Sequence, residues 1–192
     1  MTEYEKMLAG AWYNPLDPEL RQMRLAVRQK LATYNSSAPS HHKQRRLLLA
    51  DILGAVGNNV FIEPPFHCDY GKHLFIGDGV FFNFNCVVLD VAPVTIGNNV
   101  FFGPAVQLYT VNHPLAAAER RTGIEQAAPI TIGDDVWLGG GVIICPGIRI
   151  GARSVIAAGS VVTQDIPEDV LAAGNPCRIL RQLNDTLPHG AP

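Results

Sequence analysis

Charge is scarce in this chain of 192 residues: 17% are Asp, Glu, Lys or Arg, and they nearly cancel, to a formal −2. With no basic surplus and no run of like charges, the composition gives no footing for nucleic acid or for a charged tail. Long apolar runs are missing too. None approaches the roughly 18 residues that cross a bilayer, so no membrane partner is expected. The first ten residues, MTEYEKMLAG, carry acids and no apolar segment, which argues against a secretory signal peptide. Cysteine is sparse: Cys68, Cys86, Cys145 and Cys177 are scattered without a C-x-x-C pair. That spacing argues against a zinc site and against a disulfide framework, so no metal is expected. These absences together predict a cytoplasmic protein with reduced thiols, built as one domain with an appendage.

What the chain does have is a count of six. From Ile132 onward an aliphatic residue recurs at Ile132, Leu138, Ile144, Ile150, Ile156 and Val162. Four places after each stands a small or aliphatic residue: Val136, Val142, Ile148, Ser154, Ser160 and Ile166. Helices show spacings of three and four, and half-buried strands alternate, so neither template fits. Short strands joined by tight turns do fit, with one aliphatic pointing inward on each flat side of a coil, the signature of a parallel β-helix. Three hexads close one turn of a triangular prism, so residues 18 apart should stack about 4.8 Å apart. Read backwards, the register places coil starts at Val56, Ile76, Ile96, Ile132 and Ile150, with steps of 20, 20, 36 and 18. The long step marks a loop of about eighteen residues pushed out of the third coil, over 113–129, immediately after His113.

The expected organisation is therefore mostly β: an N-terminal helical segment over 1–53, a β-helix of about five coils over 54–167, and a C-terminal cap and tail over 168–192. Asp17 and Pro18 make a good N-cap and N1 pair, and Leu20, Met23, Val27 and Leu31 follow on one helical face. The SSAPS stretch breaks the chain, and HHKQRRLLLADILGAV reads as a second helix leading into the first coil. A cap is expected because an open β-helix end exposes unpaired edges.

Two columns of the register stand out. The position after the second lead residue reads Glu63, Asn83, Gly103, Gly139, Ala157, and the next reads Pro64, Phe84, Pro104, Gly140, Ala158. A vertical track without side chains beside Trp137 lets a thin, extended ligand lie against backbone groups. Glycines in turns also suit turn geometry alone. His113 sits at the root of the loop, and long loops on rigid scaffolds often carry function. A neutral imidazole can take a proton from a hydroxyl near neutral pH. His41, His42, His67, His73 and His189 form no metal-ligand spacing with it.

The segments IEPPFHCDYG, NFNCVVLDVAPVTIG, YTVNHPL, PITIGDDVWLGGGVIICPGIRIG and AAGNPCRIL, with the N-terminal EYEKMLAGAWY, resemble the maltose, galactoside and nodulation-type sugar O-acetyltransferases. The resemblance covers nearly the whole chain. It implies a left-handed β-helix, a homotrimer with sites between subunits, acetyl-CoA as donor and a sugar hydroxyl as acceptor. By motif, His113 falls on the family's catalytic base and Asn83 on the asparagine that binds the acceptor hydroxyl. Asp69, Phe81 and Asp90 fall on acceptor-pocket positions, with Asp17 a weaker match and Glu125 near the loop acid. Gly140, Ala158 and Thr163 match the coenzyme track, to which Trp137, Gly139, Ala157 and Gln164 are adjacent, with Arg178 and Arg181 at its phosphate end. The chain departs from the pattern at Gln164, where the family commonly has Lys, and at Cys145-Pro146-Gly147, where Asn-Pro-Gly is common. Phe81 replaces a tyrosine of galactoside-type members, and Val91 a second aspartate.

The expected chemistry is direct acyl transfer, with His113 deprotonating the sugar hydroxyl and Asn83 or a backbone N–H stabilising the oxyanion. No nucleophilic Ser or Cys is required, and Cys86 at an inward position reads as core. Two rivals are a hexapeptide acetyltransferase with an antibiotic or serine acceptor, and a non-catalytic β-helix. A γ-type carbonic anhydrase scaffold belongs with the second, but the loop offers only His113 where three zinc-ligand histidines are needed.

Overall fold

The computed structural model describes residues 1–183; the rest of the expected tail, His189 included, lies outside the described residues. Helix α1, Glu3–Leu8, starts from a capping box in which Thr2 Oγ1 accepts from the Glu5 N–H and the Glu5 carboxylate accepts from the Thr2 N–H. Helix α2, Pro18–Asn35, is capped by Asp17, whose Oδ1 accepts from the Glu19 N–H at 2.9 Å. Its Leu20 and Leu31 are buried, while Met23 and Val27 pack half-buried on the same side. Helix α3, His42–Ile52, begins without a side-chain cap and delivers the chain into the first strand at Ala55–Val56.

From there the chain winds as a parallel β-helix with three flat faces. The first face stacks Ala55–Val56, Leu74–Ile76, Val94–Ile96, Ile130–Ile132 and Arg149–Ile150 in that order. Val56, Ile76, Ile96, Ile132 and Ile150 are paired in register from coil to coil, so the coil starts expected from the count of six are the observed ones. The second face runs Phe61–Ile62, Phe81–Phe82, Phe101–Phe102, Trp137–Leu138, Val155–Ile156 and Val170–Ala173. The third runs Phe66–Cys68, Cys86–Leu89, Gln107–Tyr109, Ile143–Ile144 and Val161–Val162. A sixth, partial turn is thus added through Ile166, which bridges Ile150, and Val170–Ala173.

The core is the column of inward residues. Ile132, Leu138, Ile144, Ile150, Ile156 and Val162 are all buried, and Phe82 stacks on Phe102 with ring centroids 3.8 Å apart. Burying side chains of this size contributes about 1.5–3 kcal/mol each. Two inward positions are polar, and both are satisfied by the last turn. Ser154 Oγ donates to Pro167 O at 2.7 Å and accepts from the Val170 N–H; Ser160 Oγ donates to Ala157 O at 2.6 Å and accepts from the Gly174 N–H. Arg178–Gln182 then folds back antiparallel on Val170–Ala173 and ends the second face with a fully exposed strand.

The three edges of the prism differ. On the first edge, between the first and second faces, Asp78 Oδ1 accepts from the Asn58 N–H at 2.6 Å. Asn98 Oδ1 accepts from the Asp78 N–H at 2.9 Å, and Asp134 Oδ1 from the Asn98 N–H at 2.7 Å. The first four coils are stitched one to the next by side-chain acceptors, and Asp134 is joined to the fifth by its backbone carbonyl, which accepts from the Arg153 N–H. The second edge carries Glu63, Asn83 and Phe84 on its lower coils and only Gly, Ala and Pro from Gly103 upward, and the third bears every long excursion of the chain: residues 69–73, 90–93 and 110–129.

Candidate active site

The loop that breaks the count of six is a hairpin. Val111–Asn112 pairs antiparallel with Gln126–Ala127, Val111 opposite Ala127 and Asn112 opposite Gln126. One step further along the same register stands His113 opposite Glu125. The tip carries a short helix, Ala117–Arg120 (α4). The N-terminal segment adds a further strand: Tyr13 bridges Glu125 antiparallel, with hydrogen bonds of 2.9 and 3.0 Å in both directions. Directly opposite residues on neighbouring strands share a face, so Tyr13, Glu125 and His113 form one rung.

Along that rung the Tyr13 hydroxyl donates to Glu125 Oε2, and Glu125 Oε1 lies 3.9 Å from His113 Nε2. The other ring nitrogen, Nδ1, is 3.3 Å from Ile124 O. A carbonyl only accepts, which assigns the hydrogen of the neutral ring to Nδ1 and leaves the lone pair on Nε2. The His113 side chain is half exposed, so this lone pair is reachable from outside. Burial, with Glu125 adding to it, pushes the Tyr13 phenol far above its ordinary range, so it remains a neutral donor.

Beside the rung, the 69–73 turn is held by Asp90. Its Oδ1 accepts from the N–H groups of Asp69 and Tyr70 at 3.0 and 2.8 Å, and Oδ2 from that of His73 at 3.3 Å. Asp90 is fully buried. The expectation that it meets the acceptor is therefore corrected: it has no exposed atom to offer and works from behind, shaping the turn that presents Asp69. Asp69 itself is partly open, with Arg28 4.0 Å away, and lines a cavity of about 400 Å³ with Arg28, Leu31, His67 and Leu89. Burial raises the Asp69 pKa, opposed by Arg24 and Arg28. Asp17 is likewise occupied, capping α2. Another cavity, of about 320 Å³, lies between α3 and the first coil, lined by Arg45, Arg46, Leu49 and Phe61 among others, and includes none of the expected site residues.

The remaining expected residues lie elsewhere on the prism. Asn83, Gly139, Gly140, Ala157 and Ala158 follow the strands of the second face and form the second edge, whereas His113, Glu125, Thr163 and Gln164 belong to the third. Asn83 Oδ1 accepts from the Phe84 N–H at 2.8 Å. Phe81 and Trp137 project from the second face on either side of Phe101, in register with it. Arg178 and Arg181 sit on the exposed final strand of that sheet, Arg178 donating to Cys177 O at 2.8 Å. One chain thus carries His113 and Asn83 on different edges of the prism.

The glycines of the track and those just beyond it have separate causes. A Cβ on Gly103 or Gly139 would stand 2.5 Å from a backbone nitrogen of the next coil, so these two are required by stacking. A Cβ on Gly141 or Gly159 would meet nothing within 4 Å, and both have positive φ, so there the edge is open and the glycines serve the turn. The result is a bare strip beside the half-exposed Trp137 ring. Tyr13 is the residue of this site that sequence reasoning missed: it lies in the quoted N-terminal segment, but its pairing spans 112 positions and leaves no local pattern.

A hexapeptide β-helix with a histidine at the root of its long loop agrees with the acyltransferase class that the sequence resemblance implies. Residues 6–57 match the maltose acetyltransferase hexapeptide capping motif, and residues 129–164 the bacterial transferase hexapeptide (six repeats). Galactoside O-acetyltransferase of Escherichia coli (strain K12) is 40% identical over 185 residues, 96% of this chain and 91% of its own. A maltose O-acetyltransferase from Clostridium difficile 630 superposes with a TM-score of 0.95 at 43% identity, covering 96% of this chain and 99% of that one. A hexapeptide-repeat acetyltransferase from Vibrio cholerae O1 biovar eltor, solved with acetyl coenzyme A, gives 0.89 at 44% identity over 96% and 100% of the two chains. This chain belongs to the hexapeptide-repeat acetyltransferase family that includes the maltose and galactoside O-acetyltransferases, and it is an enzyme of that kind.

Proposed function

We propose that this acetyltransferase moves the acetyl group of acetyl-CoA to a sugar hydroxyl by direct transfer, with His113 as general base. The observation that carries this reading is the placement of His113, with Nδ1 3.3 Å from Ile124 O and Nε2 of the half-exposed ring 3.9 Å from Glu125 Oε1. His113 takes the proton of the acceptor hydroxyl as the new C–O bond forms, and returns it to the departing thiolate as the C–S bond breaks. Proton transfer of this kind contributes about 10²–10⁴-fold, and holding the two reactants in line contributes much of the rest. Asn83, whose Oδ1 accepts from the Phe84 N–H and so assigns the donating N–H₂ to the other side of the amide, and backbone N–H groups of the bare strip are candidate oxyanion donors.

The residues present fit the coenzyme. A strip without side chains, bordered by Trp137 and ending at Arg178 and Arg181, suits an extended pantetheine arm with a phosphate end. Thr163 and Gln164, exposed on the third edge, would meet the coenzyme of a neighbouring chain. We therefore also infer a homotrimer in which the third edge of one subunit faces the second edge of the next. The column Phe61, Phe81, Phe101 and Trp137 on the second face, exposed except at the half-buried Phe81, supports it, since an apolar ladder of that length is costly to leave in water. A sugar acceptor is supported by the names of the relatives and by the polar turn around Asp69. A cytoplasmic setting suits both the donor and the unpaired thiols.

The deciding experiment is thiol release from acetyl-CoA, with and without a panel of sugars, comparing wild type with His113→Ala. Sugar-dependent release, reduced about 10²–10⁴-fold in the variant, is the expected result. Release with amine acceptors but no sugar would overturn the acceptor, and full activity of His113→Ala would overturn the base.

A further inference from the structure

Resting on the function proposed above, we infer that Tyr13 is a positioning residue of the acceptor site. On this reading it holds Glu125 so that the site selects acceptors with a second hydroxyl beside the one acetylated.

The geometry is that of the rung. Glu125 has two carboxylate oxygens with different tasks. Oε2 is taken by the Tyr13 hydroxyl, and Oε1 is left facing His113 Nε2. The Glu125 backbone is locked on both sides, by Tyr13 through two backbone hydrogen bonds and by the hairpin through its neighbour Gln126. Gln126 adds a side-chain bond from Nε2 to Gly10 O at 2.9 Å, so the N-terminal segment is tied to the loop at two points. Tyr13 is itself buried with Met7, Leu20, Tyr70, Val91 and Ala127, and has no freedom to follow a moving carboxylate.

The separation of 3.9 Å between Oε1 and Nε2 is too long for a direct hydrogen bond. It suits a pair of neighbouring hydroxyls on one acceptor, the reacting one donating to Nε2 and its neighbour donating to Oε1. A carboxylate accepts strongly and cannot donate, so an acceptor lacking the second hydroxyl leaves a desolvated oxygen unmatched. The segment before α2 thereby takes part in acceptor choice without touching the acceptor.

The test compares wild type, Tyr13→Phe and Glu125→Gln on one sugar that wild type acetylates and on its monodeoxy analogues. Steady-state constants and thermal midpoints are measured for all three proteins. We expect one deoxy analogue to lose acceptor kcat/KM with wild type. Tyr13→Phe should lower kcat/KM on the parent sugar about tenfold to a hundredfold, the size of one charge-assisted hydrogen bond. It should lose little more on that one analogue and leave the KM for acetyl-CoA unchanged, with Glu125→Gln reproducing the pattern. An equal loss on the parent and on every analogue, or unchanged acceptor constants in Tyr13→Phe, would overturn the inference while leaving the function standing. Wild type failing with every hydroxyl acceptor would overturn the functional reading and this inference with it.

Discussion

Asp90 shows how position and role part company at the level of one residue. Its place in the motif is readable, but whether its side chain faces a ligand or the interior depends on the 69–73 turn of the preceding coil. Three backbone N–H groups would favour its charged form, and full burial opposes them. Burial prevails, with Asp69 adding to it, and the pKa is raised to about 7. The other groups around it bring no rescuing cation: burial pushes His73 down, so it stays neutral near pH 7, its Nδ1 bonded to the Asp90 carbonyl at 2.7 Å, and Cys68 is pushed well up. The folded state therefore binds a proton that the unfolded chain, with an ordinary carboxylate, has released. Between about pH 4 and 7 the native state holds more protons than the unfolded state, so this group's contribution to stability falls as pH rises through that window and is flat above it. Asp90→Asn, which cannot ionise, is expected to remove that slope: the gap in thermal midpoint between variant and wild type should change steadily from pH 4 to 7 and then level off. A parallel pair of curves would show that Asp90 does not titrate there.

Elements explain what was legible and what was not. A coil of this fold contacts only its neighbours, so period, register and coil starts were written in local spacing, and each expected start pairs with the next. The long step of 36 announced a loop but not that its two limbs pair with each other and with Tyr13, since antiparallel pairing across that distance leaves no periodic mark. The glycines of the second edge have two causes: Gly103 and Gly139, within the expected column, are required by coil stacking, whereas Gly141 and Gly159, one place beyond the columns, serve the turn. Gly139→Ala is expected to be strongly destabilising, because its Cβ would lie 2.5 Å from the Ala158 nitrogen and the stacked coils cannot separate locally. Gly159→Ala has open space and loses only the about 1–2 kcal/mol of a left-handed alanine. Chemical denaturation of both should rank Gly139→Ala as the more damaging by at least a factor of two in ΔΔG. Equal losses would mean that turn conformation, not coil stacking, sets the glycine requirement.

At the scale of the whole molecule, the proposed base and the proposed coenzyme strip lie on different edges, which the proposed trimer must reconcile. His113 and Glu125 stand on the third edge, while Asn83 and the bare strip stand on the second. If cyclic neighbours complete each other's sites, defects in the two halves must complement across subunits. Chains carrying His113→Ala supply a sound second edge, and chains carrying Asn83→Ala a sound third edge. In any mixed ring of three, one and only one boundary joins a sound third edge to a sound second edge, whichever variant is in the majority. Three quarters of randomly assembled rings are mixed, so co-refolding equal amounts should restore about a quarter of wild-type activity, although each variant alone is nearly inactive. A site built within one chain gives the opposite result, because no chain in the mixture carries both residues and activity stays at the level of the separate variants. Phe101→Glu, exposed on the aromatic column but outside both of these groups, supplies the complementary arm: it should dissociate the assembly in sedimentation and lose activity in proportion. Full activity in a Phe101→Glu monomer would return the whole reaction to a single chain.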